Sequence, residues 1–152
     1  MKIVKAEQKN VGCLHELYKI LIDSIAKKQP LFFHSAEQSR AFISEQISSD
    51  KSDFLLVLDE GEIYGFALVV ENQTPPYSMF VPHKYAYLMD LVVDPVARGR
   101  GYAQELIKAC SYWQKERNLD YLELNVLTNN DEALKLYEKM GFKDKDKHMY
   151  LV

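Results

Sequence analysis

Residues 90–107 read DLVVDPVARGRGYAQELI, and this stretch decides the fold. Its first residues close the run YAYLMDLVV at 85–93, which is nearly continuously apolar, as a strand buried on both faces requires. Asp94-Pro95 stops that strand. From Gly101 onward Ala103, Leu106, Ile107, Cys110 and Trp113 recur at helical spacing, so an amphipathic helix follows. Between strand and helix lies Arg98-Gly99-Arg100-Gly101-Tyr102-Ala103, with two of the six glycines one residue apart. Glycine adopts positive φ and lets the backbone approach a ligand closely. The first turn of a helix has unpaired N–H groups and a partial positive charge. Arg98 and Arg100 add full charges, and the set suits a di-anion such as a pyrophosphate. The dipole contributes only about 0.3–1 kcal/mol at an exposed site, so N–H bonds and arginines must supply the rest. A tight turn with surface arginines is the plainer alternative. A GxGxxG dinucleotide fingerprint would need glycine where Gln104 stands, and a P-loop would need GK[ST]; neither is present.

Outward from this stretch the chain alternates strands and helices. KIVKA at 2–6 reads as a first strand. Val11, Leu14, Leu17, Tyr18, Leu21 and Ile25 mark a helix that Pro30 breaks. A second helix is expected from Ser35 to Ser48, burying Phe42, Ile43 and Ile47. FLLVL at 54–58 and IYGFALVV at 63–70, joined by a turn at 59–62, form a hairpin. Residues 72–82 hold three of the five prolines and read as a loop. YLELNVL at 121–127 is a strand, and DEALKLYEKM at 131–140 is a helix that Gly141 ends. HMYLV at 148–152 reads as a last strand folded back as a hairpin partner, after a solvated turn KDKDK at 143–147. The pattern is mixed α/β around one central sheet.

The chain has 152 residues, 47% apolar and 27% charged, an ordinary globular composition that makes one domain over 1–152 the expectation. Nineteen basic and 22 acidic residues leave a net charge of −3, which does not favour a nucleic-acid partner. No apolar run approaches the roughly 20 residues of a membrane span. The polar start MKIVKAEQKN does not read as a signal peptide, so a cytoplasmic location is expected. Cys13 and Cys110 are the only cysteines, and the four histidines form no ligand spacing with them, so no metal is expected.

DLVVDPVARGRGYAQELI resembles the acyl-CoA signature of the GNAT superfamily of N-acetyltransferases: a hydrophobic strand, an acidic-Pro turn, then Q/R-x-x-G-x-G/A at Arg98 to Ala103. LNVLTNNDEALKLYEKMGF at 124–142 is similar to the closing motif of that family, with its Asn, Ala, Leu-Tyr pair and Gly-Phe. The resemblance implies a mostly antiparallel mixed sheet in which the strands at 85–93 and 121–127 splay apart to admit acyl-CoA. It implies direct transfer of an acetyl group from acetyl-CoA to a primary amine. Main-chain groups of Leu91, Val92 and Val93 would hold the pantetheine arm and acyl carbonyl, and Arg98, Gly99, Arg100, Gly101, Tyr102 and Ala103 the pyrophosphate.

Tyr137 matches the general acid of the family, which protonates the departing thiolate; core packing is the alternative for a Tyr at this helical position. Asn130 matches the Asn that binds pantetheine or nucleotide, and it is equally natural as a helix N-cap.

The base is the open role. An alkylamine with a pKa near 10.4 must lose a proton, which costs roughly 4.6 kcal/mol at pH 7. Asp90 and Glu123 are the candidates. Strict alternation puts Asp90 on one face with Leu88 and Val92, and a bulge would change how it projects. Tyr121, Glu123 and Asn125 share an unusually polar strand face. Family members that acetylate protein α-amines often carry Glu where Asn125 stands, which lowers that acceptor class.

The acceptor mouth is expected near Leu31-Phe32-Phe33-His34 and the 72–82 loop. Aromatic walls above carboxylates suit a cationic small molecule or a lysine-like amine. Two rivals stand beside the enzyme: a non-catalytic acyl-CoA-binding sensor domain, and a ligand-free interaction module. A homodimer is common in the family, and the residues leave the oligomeric state open.

Overall fold

The computed structural model describes residues 1–152. Five strands form one sheet in the order β1 (Lys2–Lys5), β2 (Ser52–Asp59), β3 (Glu62–Gln73), β4 (Lys84–Val93) and β5 (Leu122–Leu124). The first four are antiparallel neighbours, and β5 lies parallel to β4. Four helices flank the sheet: α1 (Val11–Lys28), α2 (Arg40–Ser48), α3 (Tyr102–Glu116) and α4 (Asp131–Lys139).

Alternation along the long strands sends side chains to two cores. Leu55, Val57, Ala67 and Val69 meet α3 through Leu106, Ile107, Cys110 and Trp113. Phe54, Leu56, Phe66 and Leu68 meet Leu14, Leu17 and Tyr18 of α1 and Ile43 of α2. The sheet is therefore covered on both faces, which is why its strands read as continuous apolar runs.

Two irregularities position the rest. In the β3–β4 ladder Leu68 faces Asp90 and Val69 faces Leu88, so Met89 is an extra residue, a β-bulge. The bulge inverts the facing of the residues after it: Leu88 packs in the α3 core, as do Leu91 and Val93, while Val92 packs in the α1 core. Asp90 reaches Tyr18 of α1, so it shares a face with Val92 but not with Leu88, in contrast to strict alternation. The second irregularity is the short β4–β5 ladder, which joins only Ala86, Tyr87 and Leu88 to Leu122, Glu123 and Leu124. Beyond it the two strands separate, as the resemblance implies.

Three expected elements differ. The second helix starts at Arg40 instead of Ser35, because Ser39 is extended (φ −61°, ψ 127°) and its side chain caps Phe42 N. The strand expected over 121–127 keeps only Leu122–Leu124. HMYLV forms no strand; a three-residue β5 offers too short an edge, and Leu151 and Val152 are both 99% exposed. No helix is long and apolar enough to cross a membrane.

Candidate active site

The Arg-Gly loop is built by backbone conformation. Asp94 caps a single 3-10 turn, Pro95–Ala97, by accepting from Val96 N at 3.1 Å. Gly99 and Gly101 then take positive φ of 80° and 79°, with open space where a Cβ would stand. Gly101 is the N-cap of α3, so the N–H groups of the first turn at Tyr102, Ala103 and Gln104 have no partner within the helix.

These groups line a cavity of about 370 Å³. Leu91, Val92 and Val93 of β4 form one wall, Arg98, Gly99 and Gly101 the loop side, and Asn130, Ala133 and Tyr137 the α4 side. A second cavity of about 110 Å³ continues between the separating strands, lined by Met89, Asp90, Asn125 and Leu127 with Leu21 and Ile25 of α1. The two share Leu21, Leu91, Asn130 and Tyr137. Tyr137 thus stands at the junction of an open cleft under a helix N-terminus and a small pocket ending on a carboxylate.

Burial pushes the Tyr137 phenol up to about 12, so it stays protonated across the working range and can donate. Burial also raises the Asp90 carboxyl, while the Tyr18 hydroxyl, donating to Asp90 Oδ2 at 2.7 Å, pulls it down. Asn130 does what an N-cap does: its Oδ1 accepts from Ala133 N at 3.3 Å. Its amide nitrogen stays free for the cavity it lines. Cys110 is fully buried, and burial pushes its thiol up to about 12, so it is an inert core residue.

Two sequence candidates lie outside. Arg100 stands 5.5 Å from the Tyr64 ring centroid, beside a stack of Tyr64 on Tyr102, and lines neither cavity. The Tyr102 hydroxyl donates to Asp59, so Tyr102 contributes its backbone to the loop while its side chain points to the hairpin turn. Glu123 lines neither cavity and accepts from Lys145 Nζ at 3.0 Å, while residues 143–147 are exposed throughout, as the solvated reading expects. Residues 31–34 and 72–82 contribute no lining either; Phe32 packs against Tyr150.

Sequence reasoning missed the contribution of α1. Leu21 and Ile25 close the small pocket, and Ser24 and Lys28 line the large one. Lys28 Nζ donates to Ser24 Oγ at 2.9 Å. Asn129 Nδ2 donates to Lys28 O at 2.7 Å, tying the end of α1 to the loop before α4. The available signal was the α1 apolar stripe, which runs on through Leu21 to Ile25, and Ile25 packs in neither core.

Comparisons with known proteins bear on the fold and on the family. The crystal structure of a mutant of the BH1408 protein from Bacillus halodurans superimposes with a TM-score of 0.94 at 24% identity, covering 100% of this chain and 99% of that one. The aminoglycoside N-acetyltransferase AAC(6')-Iy in complex with CoA gives 0.77 at 17% identity, covering 99% and 98%. At these identities the likeness is one of fold. In sequence, the uncharacterized N-acetyltransferase YycN of Bacillus subtilis (strain 168) is 30% identical over 91 residues, 60% of this chain and 54% of that protein. The mycothiol acetyltransferase of Salinispora tropica is 35% identical over 95 residues, 61% of this chain and 29% of that protein. The chain spans about half the length of the first curated relatives it matches. The pattern of the Acetyltransferase (GNAT) family matches residues 14–142, and the chain belongs to that family.

Proposed function

We propose that this chain transfers an acetyl group from acetyl-CoA directly to a primary amine, with a cationic small molecule or a lysine-like side chain as acceptor. The observation that carries this reading is the meeting of two cavities at Tyr137. One lies under the α3 N-terminus with Arg98 and Lys28 on its walls, and the other ends on Asp90.

The large cavity fits CoA by its donor set. Positive-φ glycines with open space beside them and unpaired N–H groups of α3 suit the pyrophosphate. Arg98 and Lys28 suit anionic oxygens, and the backbone of Leu91–Val93 suits the amide-bearing arm. Bound acetyl-CoA supplies an acetyl thioester, whose thiolate is already a good leaving group.

The residues of the chain then handle position and protons. An alkylammonium gives up two protons on becoming an amide. Asp90 takes the first, which frees the nitrogen lone pair to attack the thioester carbonyl, and then releases it to solvent. The Tyr137 hydroxyl places one on the departing sulfur and is reprotonated by the second. Leu21, Ile25, Met89 and Leu127 make the small pocket apolar, no basic residue lines it, and Asp90 is its one carboxylate. That combination supports an alkylammonium and opposes a dicarboxylic amino acid. Streptothricin acetyltransferase, 29% identical over 99 residues, is named for a small-molecule acceptor, which supports the small-molecule side of this class. A sensor domain of the same fold would need neither Asp90 nor Tyr137 on its cavities.

Thermal denaturation tests the donor half. CoA or acetyl-CoA at about 100 times its Kd is expected to raise Tm by about 5–10 °C, and NAD to leave it unchanged. Gly101→Val is expected to abolish the shift, because φ of 79° is closed to a β-branched residue and the new side chain enters the cavity. No shift with millimolar CoA would overturn the donor assignment. Thiol release with a panel of polyamines, basic amino acids, aminoglycosides and peptides tests the acceptor half. Turnover of glutamate or aspartate in preference to every cationic amine would overturn that class.

A further inference from the structure

The bulge at Met89 does more than turn Asp90 toward α1. It brings the carboxylate against a phenol that cannot move away. Tyr18 is 1% exposed, and its ring is held edge-on by Phe66 at 4.8 Å and Phe54 at 6.1 Å between centroids. Its hydroxyl therefore has one fixed position, and there it donates to Asp90 Oδ2. This is the one hydrogen bond to the carboxylate, and Oδ1 is not sealed from solvent. An aromatic ring packed between two phenylalanines has no packing need for a hydroxyl. A buried hydroxyl without a partner would cost stability; here Asp90 accepts from it at 2.7 Å and the Gln38 side chain faces the same hydroxyl, so both hold it in place, and Asp90 benefits in turn.

We propose that Tyr18 is a positioning residue for the acetyl-transfer site: it locks the Asp90 carboxylate in one orientation, with Oδ2 engaged and Oδ1 offered to the acceptor pocket, and keeps it ionised. The proposal rests on the reading of that pocket as the acceptor end. A carboxylate walled by leucine, isoleucine and methionine side chains is pressed toward its neutral form, and a neutral carboxyl neither attracts an ammonium nor takes its proton. A hydrogen bond donated to the charged form opposes that pressure. The other groups facing Asp90 do not do so. Tyr137 of α4 lines the same pocket as a neutral phenol, and β5 with the segment after it presents Asn125, Val126 and Leu127. From β3, Leu68 stands opposite Asp90 in the ladder. No cation lines the pocket, so the Tyr18 hydroxyl is the stabilising partner.

The test reads Asp90 itself, independently of any acceptor. In protein labelled with carboxyl-13C aspartate, the Asp90 resonance is assigned by its loss in Asp90→Asn and followed against pH. Tyr18→Phe is expected to raise the midpoint by about one to two pH units, the worth of one hydrogen bond to a charged group. Replacing Tyr18 by 3-fluorotyrosine, a more acidic phenol of nearly the same shape, is expected to lower it. A midpoint that stays put in both proteins overturns the proposal. If Tyr18→Phe does not fold, the fluorotyrosine protein decides alone. With an amine taken from the thiol-release panel, the acidic limb of kcat/KM is expected to move with the resonance, while the KM for acetyl-CoA stays unchanged. A resonance that moves while the limb does not overturns the role in transfer and leaves the donor assignment intact. If no amine in the panel is acetylated, the acceptor reading falls and this proposal falls with it.

Discussion

Tyr137→Phe is expected to lower kcat by about 10²–10⁴-fold, with melting temperature and CoA affinity nearly unchanged. The substitution keeps the ring, which packs at 5.6 Å between centroids against Phe142, and removes only the hydroxyl at the junction of the two cavities. Burial holds that phenol near a pKa of about 12. Its folded value lies above the ordinary one, so the donating form is complete below pH 10 and is lost only as pH rises through about 12. No decline in kcat from this group is therefore expected between about pH 7 and 10, and deprotonation of the acceptor ammonium should make the rate climb there. Paired stability and activity measurements check this. Loss of stability in proportion to loss of activity would make Tyr137 a packing residue, the reading its helical spacing alone favours.

Gly65→Ala is expected to destabilise the protein by about 1–3 kcal/mol, seen as a fall in Tm of about 2–12 °C. Gly65 lies in β3 opposite Val93. A Cβ there would fall well inside contact distance of the Val92 carbonyl oxygen and 3.0 Å from Val93 Cα. Both obstacles are backbone, so neither can turn aside. The strand that must shift is the segment Leu91–Val93 that walls the large cavity, so the CoA-induced rise in Tm should shrink as well. A variant as stable as the parent, with an undiminished CoA shift, would show that β4 has slack at this point.

Both effects bear on what a sequence can reveal. The Arg-Gly loop and Asn130 were legible because glycine spacing and a cap residue act locally, through φ and through one turn of backbone. Gly65 was not legible as a close approach, because nothing in IYGFALVV says which neighbouring strand will crowd it. Glu123 and Asp90 looked alike as acids on strands. They separate only in three dimensions, since the ladder from β4 to β5 ends at Leu124 and leaves Glu123 beside Lys145, outside the pocket. Arg100 alternates with glycine like Arg98, yet the Tyr64–Tyr102 stack draws it to the other side. HMYLV has the alternation of a strand without an edge long enough to pair with. Pairing partners are tertiary facts, and local pattern carries none of them.

The single unpaired residue in β4 works as a parity switch. Ten residues at 84–93 run against nine at 65–73, so every side chain after Met89 points opposite to where simple alternation would send it. If all ten residues paired without the bulge, Asp90 and Val92 would lie on the α3 face and Leu91 and Val93 on the α1 face. Deleting Met89 would instead keep Leu68 opposite Asp90 and Val69 opposite Leu88, and so leave every later side chain on the face it has now. The extra residue is what lets a stretch of this length turn its carboxylate toward α1. Relatives aligned here without regard to the bulge would have their donor-side and acceptor-side residues interchanged.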